Sequence, residues 1–114
     1  MESIRRIIFY KDYFTKFYVE QAEDVRKKIN QVLMFIQSQQ RVPAKFLKHI
    51  ESTAGLYEIR VELAGNIYRI FCCFDEGQLV VLFNAFQKKA QKTPQTEISK
   101  ALKIMNEYFK NKQI

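Results

Sequence analysis

The chain contains no tryptophan, a single histidine, two cysteines, three glycines and two prolines in 114 residues. Each scarcity excludes something. One histidine, His49, cannot form a histidine pair for acid–base catalysis, and in the segment Lys48-His49-Ile50 it reads as an ordinary surface residue. Cys72 and Cys73 are adjacent, so in a strand they leave on opposite faces and cannot close a relaxed disulfide. Two cysteines alone also cannot complete a zinc site, and both read as reduced core residues of a cytosolic protein. The apolar runs Ile70 to Phe74 and Leu79 to Phe83 fall far short of the roughly 20 residues a membrane helix needs. Ile7 to Phe9 behind Arg5-Arg6 is too short for a secretory h-region. No glycine-rich phosphate loop, His-Glu zinc signature or nucleophile elbow is present, so an enzyme built from this chain is expected to use neither metal nor cofactor.

What is present is a folding composition: 47% hydrophobic, 14% aromatic and 27% charged residues, which suit one compact domain spanning residues 1–114. Acidic residues are outnumbered, giving a formal charge of +7. The excess is uneven, because residues 1–83 carry twelve Lys or Arg against ten Asp or Glu, whereas residues 84–114 carry seven Lys against two Glu. A concentrated basic excess can bind a polyanion through counterion release, bind an acidic partner, or remain a solvated surface.

Periodicity orders the chain. Ile4 to Tyr10 reads as a strand, with Asp12 as a helix N-cap behind it. Apolar residues from Phe14 to Ile36 recur at spacings of three and four, predicting one long helix or a helical hairpin broken near Glu20 to Asp24. Arg41-Val42-Pro43 ends it, and a short helical turn is expected over Lys45 to Glu51. Tyr57, Ile59, Val61 and Leu63 alternate with Glu58, Arg60 and Glu62 as a half-buried strand. Gly65-Asn66 turns the chain into a strand over Ile67 to Phe74, and Asp75-Glu76-Gly77 turns it again into one over Gln78 to Phe86, whose apolar character on both faces suits an interior position. A basic loop from Gln87 to Pro94 follows, then a helix capped by Thr93, with Ile98, Ala101, Leu102, Met105 and Phe109 on one face and fraying from Asn111. The expected fold is α+β: a helical layer from the first half of the chain packed on an antiparallel sheet, with a C-terminal helix completing the cover.

Register arithmetic adds a functional element. If the apolar sets of the two strands joined by Gly65-Asn66 share a face, Glu58, Arg60 and Glu62 share the opposite face with Arg69 and Phe71. Solvated cross-strand ion pairs would account for this set, and so would a phosphate-binding surface. Arg60, Arg69, Lys88, Lys89 and Lys92 all fall near strand ends. Basic residues alone can cleave RNA, since the 2′-OH is the nucleophile and the protein need only align it, move its proton and stabilise the phosphorane.

Three segments carry a resemblance: Gly-Leu-Tyr-Glu-Ile-Arg at 55–60, Asn-Ile-Tyr-Arg-Ile-Phe at 66–71, and Phe-Gln-Lys-Lys-Ala-Gln-Lys-Thr-Pro at 86–94. With Arg41-Val42-Pro43 and Phe46 to Ile50 in the expected order, nearly the whole chain resembles the RelE/ParE toxin superfamily, and within it the phage-derived HigB-like branch. The resemblance implies a RelE-like fold, a small twisted antiparallel sheet with two N-terminal helices packed on it and a C-terminal helix, and a toxin of a type II toxin–antitoxin pair, an mRNA endonuclease that works on the ribosome without a metal. It further implies Arg60, Arg69 and Lys89 as catalytic residues and Lys88 and Lys92 as RNA or phosphate contacts. Glu58 is either a proton acceptor or an ion-pair partner of Arg60 or Arg69. The implied partners are a cognate antitoxin, of helix-turn-helix type, and ribosome-bound mRNA. A ParE-like gyrase inhibitor and a catalytically inactive binding member are the alternatives. The sequence departs from the pattern at Glu58, where some members carry a second basic residue, and at Asn84-Ala85-Phe86, where His-Gly-Phe is common.

Overall fold

The computed structural model describes residues 4–77, 79–89 and 93–112. In chain order these form β1 (Arg6–Phe9), α1 (Tyr13–Val19), α2 (Glu23–Ser38), β2 (Leu47–His49), β3 (Tyr57–Leu63), β4 (Asn66–Asp75), β5 (Leu79–Lys88) and α3 (Gln95–Lys112). The helical hairpin reading holds, with the break falling between α1 and α2. α2 buries Val25, Ile29, Val32 and Ile36 on one face, as their spacing requires. Its C-terminal carbonyls are capped from β1's side of the molecule, where the Arg5 guanidinium donates to the carbonyls of Ile36 at 3.0 Å, Gln39 at 2.6 Å and Gln40 at 3.1 Å.

The sheet has five strands in the order β1-β5-β4-β3-β2. β2 to β5 form antiparallel pairs, but β1 pairs parallel with β5, Ile7 opposite Val80, so the sheet is mixed rather than purely antiparallel. The segment expected to form a helical turn at Lys45 to Glu51 instead contributes β2, which pairs with β3 through Leu47 opposite Ile59 and Lys48 opposite Glu58. β5 is interior, as its two-faced apolar run requires.

Two apolar cores flank the sheet. Ile59, Val61, Tyr68, Ile70, Cys72, Val80 and Leu82 pack beneath α1 and α2, while Leu56, Phe71, Cys73, Val81 and Phe83 pack beneath Ala101, Ile104 and Met105 of α3. The result is an α/β/α sandwich, each buried Ile, Leu or Phe stabilising it by about 1.5–3 kcal/mol. Cys72 and Cys73 go to opposite cores as unpaired thiols. Burial pushes the Cys73 thiol up to about 12 and raises that of Cys72 as well.

Two features of β5 and α3 matter for the site. Between Ile70 and Cys72 the register of β4 against β5 shifts, so that Phe83 and Asn84 together oppose Phe71. Before this bulge the odd residues Val81 and Phe83 face α3, and after it the even residue Phe86 does so, stacking on Phe71 with ring centroids 5.8 Å apart. α3 starts with the Pro94 carbonyl accepting from Ile98 N at 3.2 Å, so Thr93 lies outside the cap position expected for it. At its other end α3 is fastened to the end of β4. The Tyr108 hydroxyl and the Lys112 ammonium each donate to Asp75 Oδ2 at 2.6 Å, and helical structure reaches Lys112 where fraying from Asn111 was expected.

Candidate functional site

The α3-facing side of β3, β4 and β5 is not fully covered by α3. Beyond Phe71 and Phe86 the face turns polar, and the cross-strand register fixes its pattern. Glu58 stands opposite Phe71, Arg60 opposite Arg69, and Glu62 opposite Ile67, whose other neighbour is Lys88. The grouping deduced from strand parity is therefore present. The directly opposed residues within it are two arginines, so the ion pairs form with offset partners. Like charges placed directly across a ladder repel.

Each arginine is paired with one carboxylate. Glu58 Oε1 accepts from Arg69 NH1 at 3.1 Å, with side chains 7% and 12% exposed, so Glu58 partners Arg69 diagonally across the strands. Its second oxygen, Oε2, accepts from the Thr93 hydroxyl at 3.4 Å, which ties the approach to α3 to the floor of the site. Arg60 NH1 instead pairs with Glu62 Oε1 at 3.0 Å, and both are more open, at 24% and 49%. The Nε of Arg69 is buried and has no partner.

These side chains line an open cleft of about 530 Å³ bounded by Lys45, Lys48, Glu51, Glu58, Arg60, Arg69, Lys88, Thr93 and Ile98. Five basic groups against two carboxylates leave it electropositive. The Lys88 ammonium registers this field: burial lowers its pKa most, and the neighbouring Arg69, Arg60 and Lys48 charges lower it further against the opposing pull of Glu58.

Arg60, Arg69, Glu58 and Lys88 thus converge on one concavity. Lys89, the next residue along, is exposed and does not line it. The bulge explains the difference, since unbroken alternation from Val81 and Phe83 would have brought Lys89 to this face, whereas the extra residue at Phe83-Asn84 brings Phe86 and Lys88. Lys92 lies outside the described residues. Lys48, Lys45 and Thr93 were not singled out from the sequence. Lys48 would have been found had residues 47–49 been read as a strand, because it is then Glu58's direct neighbour.

His49 is exposed, its ring Nε2 3.0 Å from the Thr53 carbonyl oxygen, and takes no part in the cleft. Among the described residues no three His, Cys, Asp or Glu side chains gather as a metal-binding group. No helix among them is long and apolar enough to cross a membrane.

The fold is RelE-like. A solved chain from the archaeal RelE–RelB complex of Pyrococcus horikoshii superimposes with a TM-score of 0.56 at 16% identity, covering 81% of this chain and 100% of the other. The profile of the phage-derived Gp49-like family (DUF891) matches residues 12–106, and the chain belongs to that family. It has no significant match among curated protein sequences.

Proposed function

We propose that the protein is the toxin of a type II toxin–antitoxin pair, of the HigB-like kind, and that it inhibits translation by cutting mRNA on the ribosome. The observation that carries this reading is the electropositive cleft in which Arg60 and Arg69 are opposed and Lys88 and Lys48 converge. Two guanidinium groups held against their mutual repulsion are what a dianionic phosphorane would stabilise, and a merely structural sheet face has no use for them.

The chemistry needs no group beyond the substrate's own 2′-OH. That oxygen attacks the adjacent phosphorus, the P–O5′ bond breaks, and a 2′,3′-cyclic phosphate and a 5′-hydroxyl result. Arg60 and Arg69 grip the non-bridging oxygens. Lys88, whose ammonium is already destabilised by burial and by its basic neighbours, exchanges the proton taken from the 2′-OH or given to the leaving 5′-oxygen. Glu58 keeps Arg69 in place by its ion pair and is the second group able to accept the 2′-OH proton. The ribosome supplies the remaining alignment, so free RNA is a poor substrate.

On the same reading the partner is a cognate antitoxin whose acidic segment covers the cleft. A similar fold occurs in the RelE–RelB complex of Pyrococcus horikoshii, which supports an antitoxin as the partner. Induction of the chain in a bacterial host is the test. Arrest of translation with mRNAs cut within codons supports the proposal. An SOS response with intact mRNAs would point instead to gyrase.

A further inference from the structure

A second, smaller pocket of about 190 Å³ adjoins the cleft, lined by Lys28, Val32, Lys45, Phe46, Arg60 and Glu62. Lys45 and Arg60 belong to both cavities, so they form the wall between them. From the juxtaposition of this aromatic and carboxylate pocket with the basic cleft, we infer that it is a base-reading subsite for the nucleotide next to the scissile phosphate, and that it selects guanine over uracil.

The inference rests on the RNA reading above and adds to it a specificity determinant. The floor of the pocket is apolar: Val32 of α2 is buried in the core, and Phe46 is half-buried against that core. The Lys45 ammonium lies 5.5 Å from the Phe46 ring centroid. It is a flexible, exposed side chain that can leave the ring for a phosphate, opening a flat apolar surface on which a base can stack. Lys28 and Arg60 at the rim supply cations for the flanking phosphates.

Polar reading falls to Glu62, the one acceptor-only side chain in the pocket. Arg60 engages Glu62 Oε1, and the Glu62 side chain is half exposed. Guanine offers adjacent N1–H and N2–H donors, which match a carboxylate. Cytosine and adenine offer one amine beside a ring acceptor. Uracil offers a single N3–H flanked by two carbonyl oxygens that a carboxylate repels.

The probe is a set of four non-cleavable 2′-O-methyl hexanucleotides, G, A, C or U at one position in an otherwise constant sequence, titrated into the intact protein by fluorescence anisotropy. Wild type is expected to bind the guanine oligomer at least fivefold tighter than the uracil one. Glu62→Gln should bring that ratio below twofold by weakening the guanine oligomer, with the affinity for the uracil oligomer unchanged. Arg69→Lys, in the neighbouring cleft, should weaken all four oligomers and leave the ratio intact. Amide shifts of Lys28, Phe46 and Glu62 on adding the guanine oligomer should be lost in Glu62→Gln. Equal binding of all four by the wild type, or a preference that survives Glu62→Gln, overturns the subsite while leaving RNA binding standing. Absence of binding to any oligomer also overturns the subsite, and cleavage of ribosome-bound mRNA then tests the RNA reading separately.

Discussion

Arg60 and Arg69 are directly opposed across the β3–β4 ladder, and the carboxylate that stabilises Arg69 reaches it from Glu58, one alternate position along the neighbouring strand. A sheet selected for stability alone would put a carboxylate opposite a guanidinium. Here the acid is set to one side, its second oxygen held by Thr93, and the space in front of the two arginines opens into the cleft. The arrangement keeps two guanidinium forks side by side at the cleft.

Arg69→Ala is expected to abolish growth arrest and mRNA cleavage by at least about 100-fold, the scale of removing one preorganised oxyanion donor. It also leaves Glu58 buried without its cation, which costs about 3–5 kcal/mol in stability. The double variant Glu58→Gln/Arg69→Ala should recover most of that stability and none of the activity. Urea denaturation alongside the cleavage assay separates the two effects, and cleavage by the double variant would remove Arg69 from the chemistry.

Adjacent lysines should behave differently. Lys88→Ala is expected to lose at least tenfold in cleavage rate, Lys89→Ala less than threefold, because only Lys88 reaches the cleft. Since the Lys88 pKa is lowered, a neutral amine forms at a lower pH than for an ordinary lysine at 10.5, and a rate limb rising with pH should belong to it. Loss of that limb in Lys88→Arg is the check, and an unchanged profile would assign the proton transfer elsewhere.

Much of this site was legible in the sequence because strand parity is a strict rule. Once Tyr57 to Leu63 and Tyr68 to Phe74 were set apolar face to apolar face, Glu58, Arg60 and Arg69 had to share the other side. What escaped were short or irregular features. β2 has three residues, too few for a periodic signal, and it brings Lys48 into the cleft. The bulge at Phe83-Asn84 lies within an otherwise regular apolar run, and it determines which of two neighbouring lysines faces the arginines. Thr93 before Pro94 has the form of an N-cap, yet its hydroxyl is directed to Glu58.

The far end of α3 is fastened to β4 at Asp75. The Lys112 ammonium, first, and then the Tyr108 hydroxyl hold the Asp75 carboxyl below its ordinary value of 3.8. A carboxylate depressed in the folded state contributes stability that is present above the unfolded-state value and lost as pH falls through the folded one. Chemical denaturation should therefore show a loss of stability below about pH 4 that is smaller in Asp75→Asn, which should itself be less stable at neutral pH. Parallel pH profiles for the two proteins would contradict the fastening.

Buried thiols give an independent check on the core. With Cys73 raised to about 12 and Cys72 also raised, neither should react with a thiol reagent at pH 8 in the native protein, and both should react on unfolding. Rapid native-state labelling would place at least one of them outside the two cores.

The most direct test of the account is primer extension on a defined mRNA stalled in purified ribosomes, with the protein added in the absence of any antitoxin. The account predicts cuts within the A-site codon that leave a 2′,3′-cyclic phosphate and a 5′-hydroxyl, present with the wild type and with Lys89→Ala, and absent with Arg60→Ala, Arg69→Ala and Lys88→Ala. Intact message with the wild-type protein, or cuts that persist without both arginines, would contradict it.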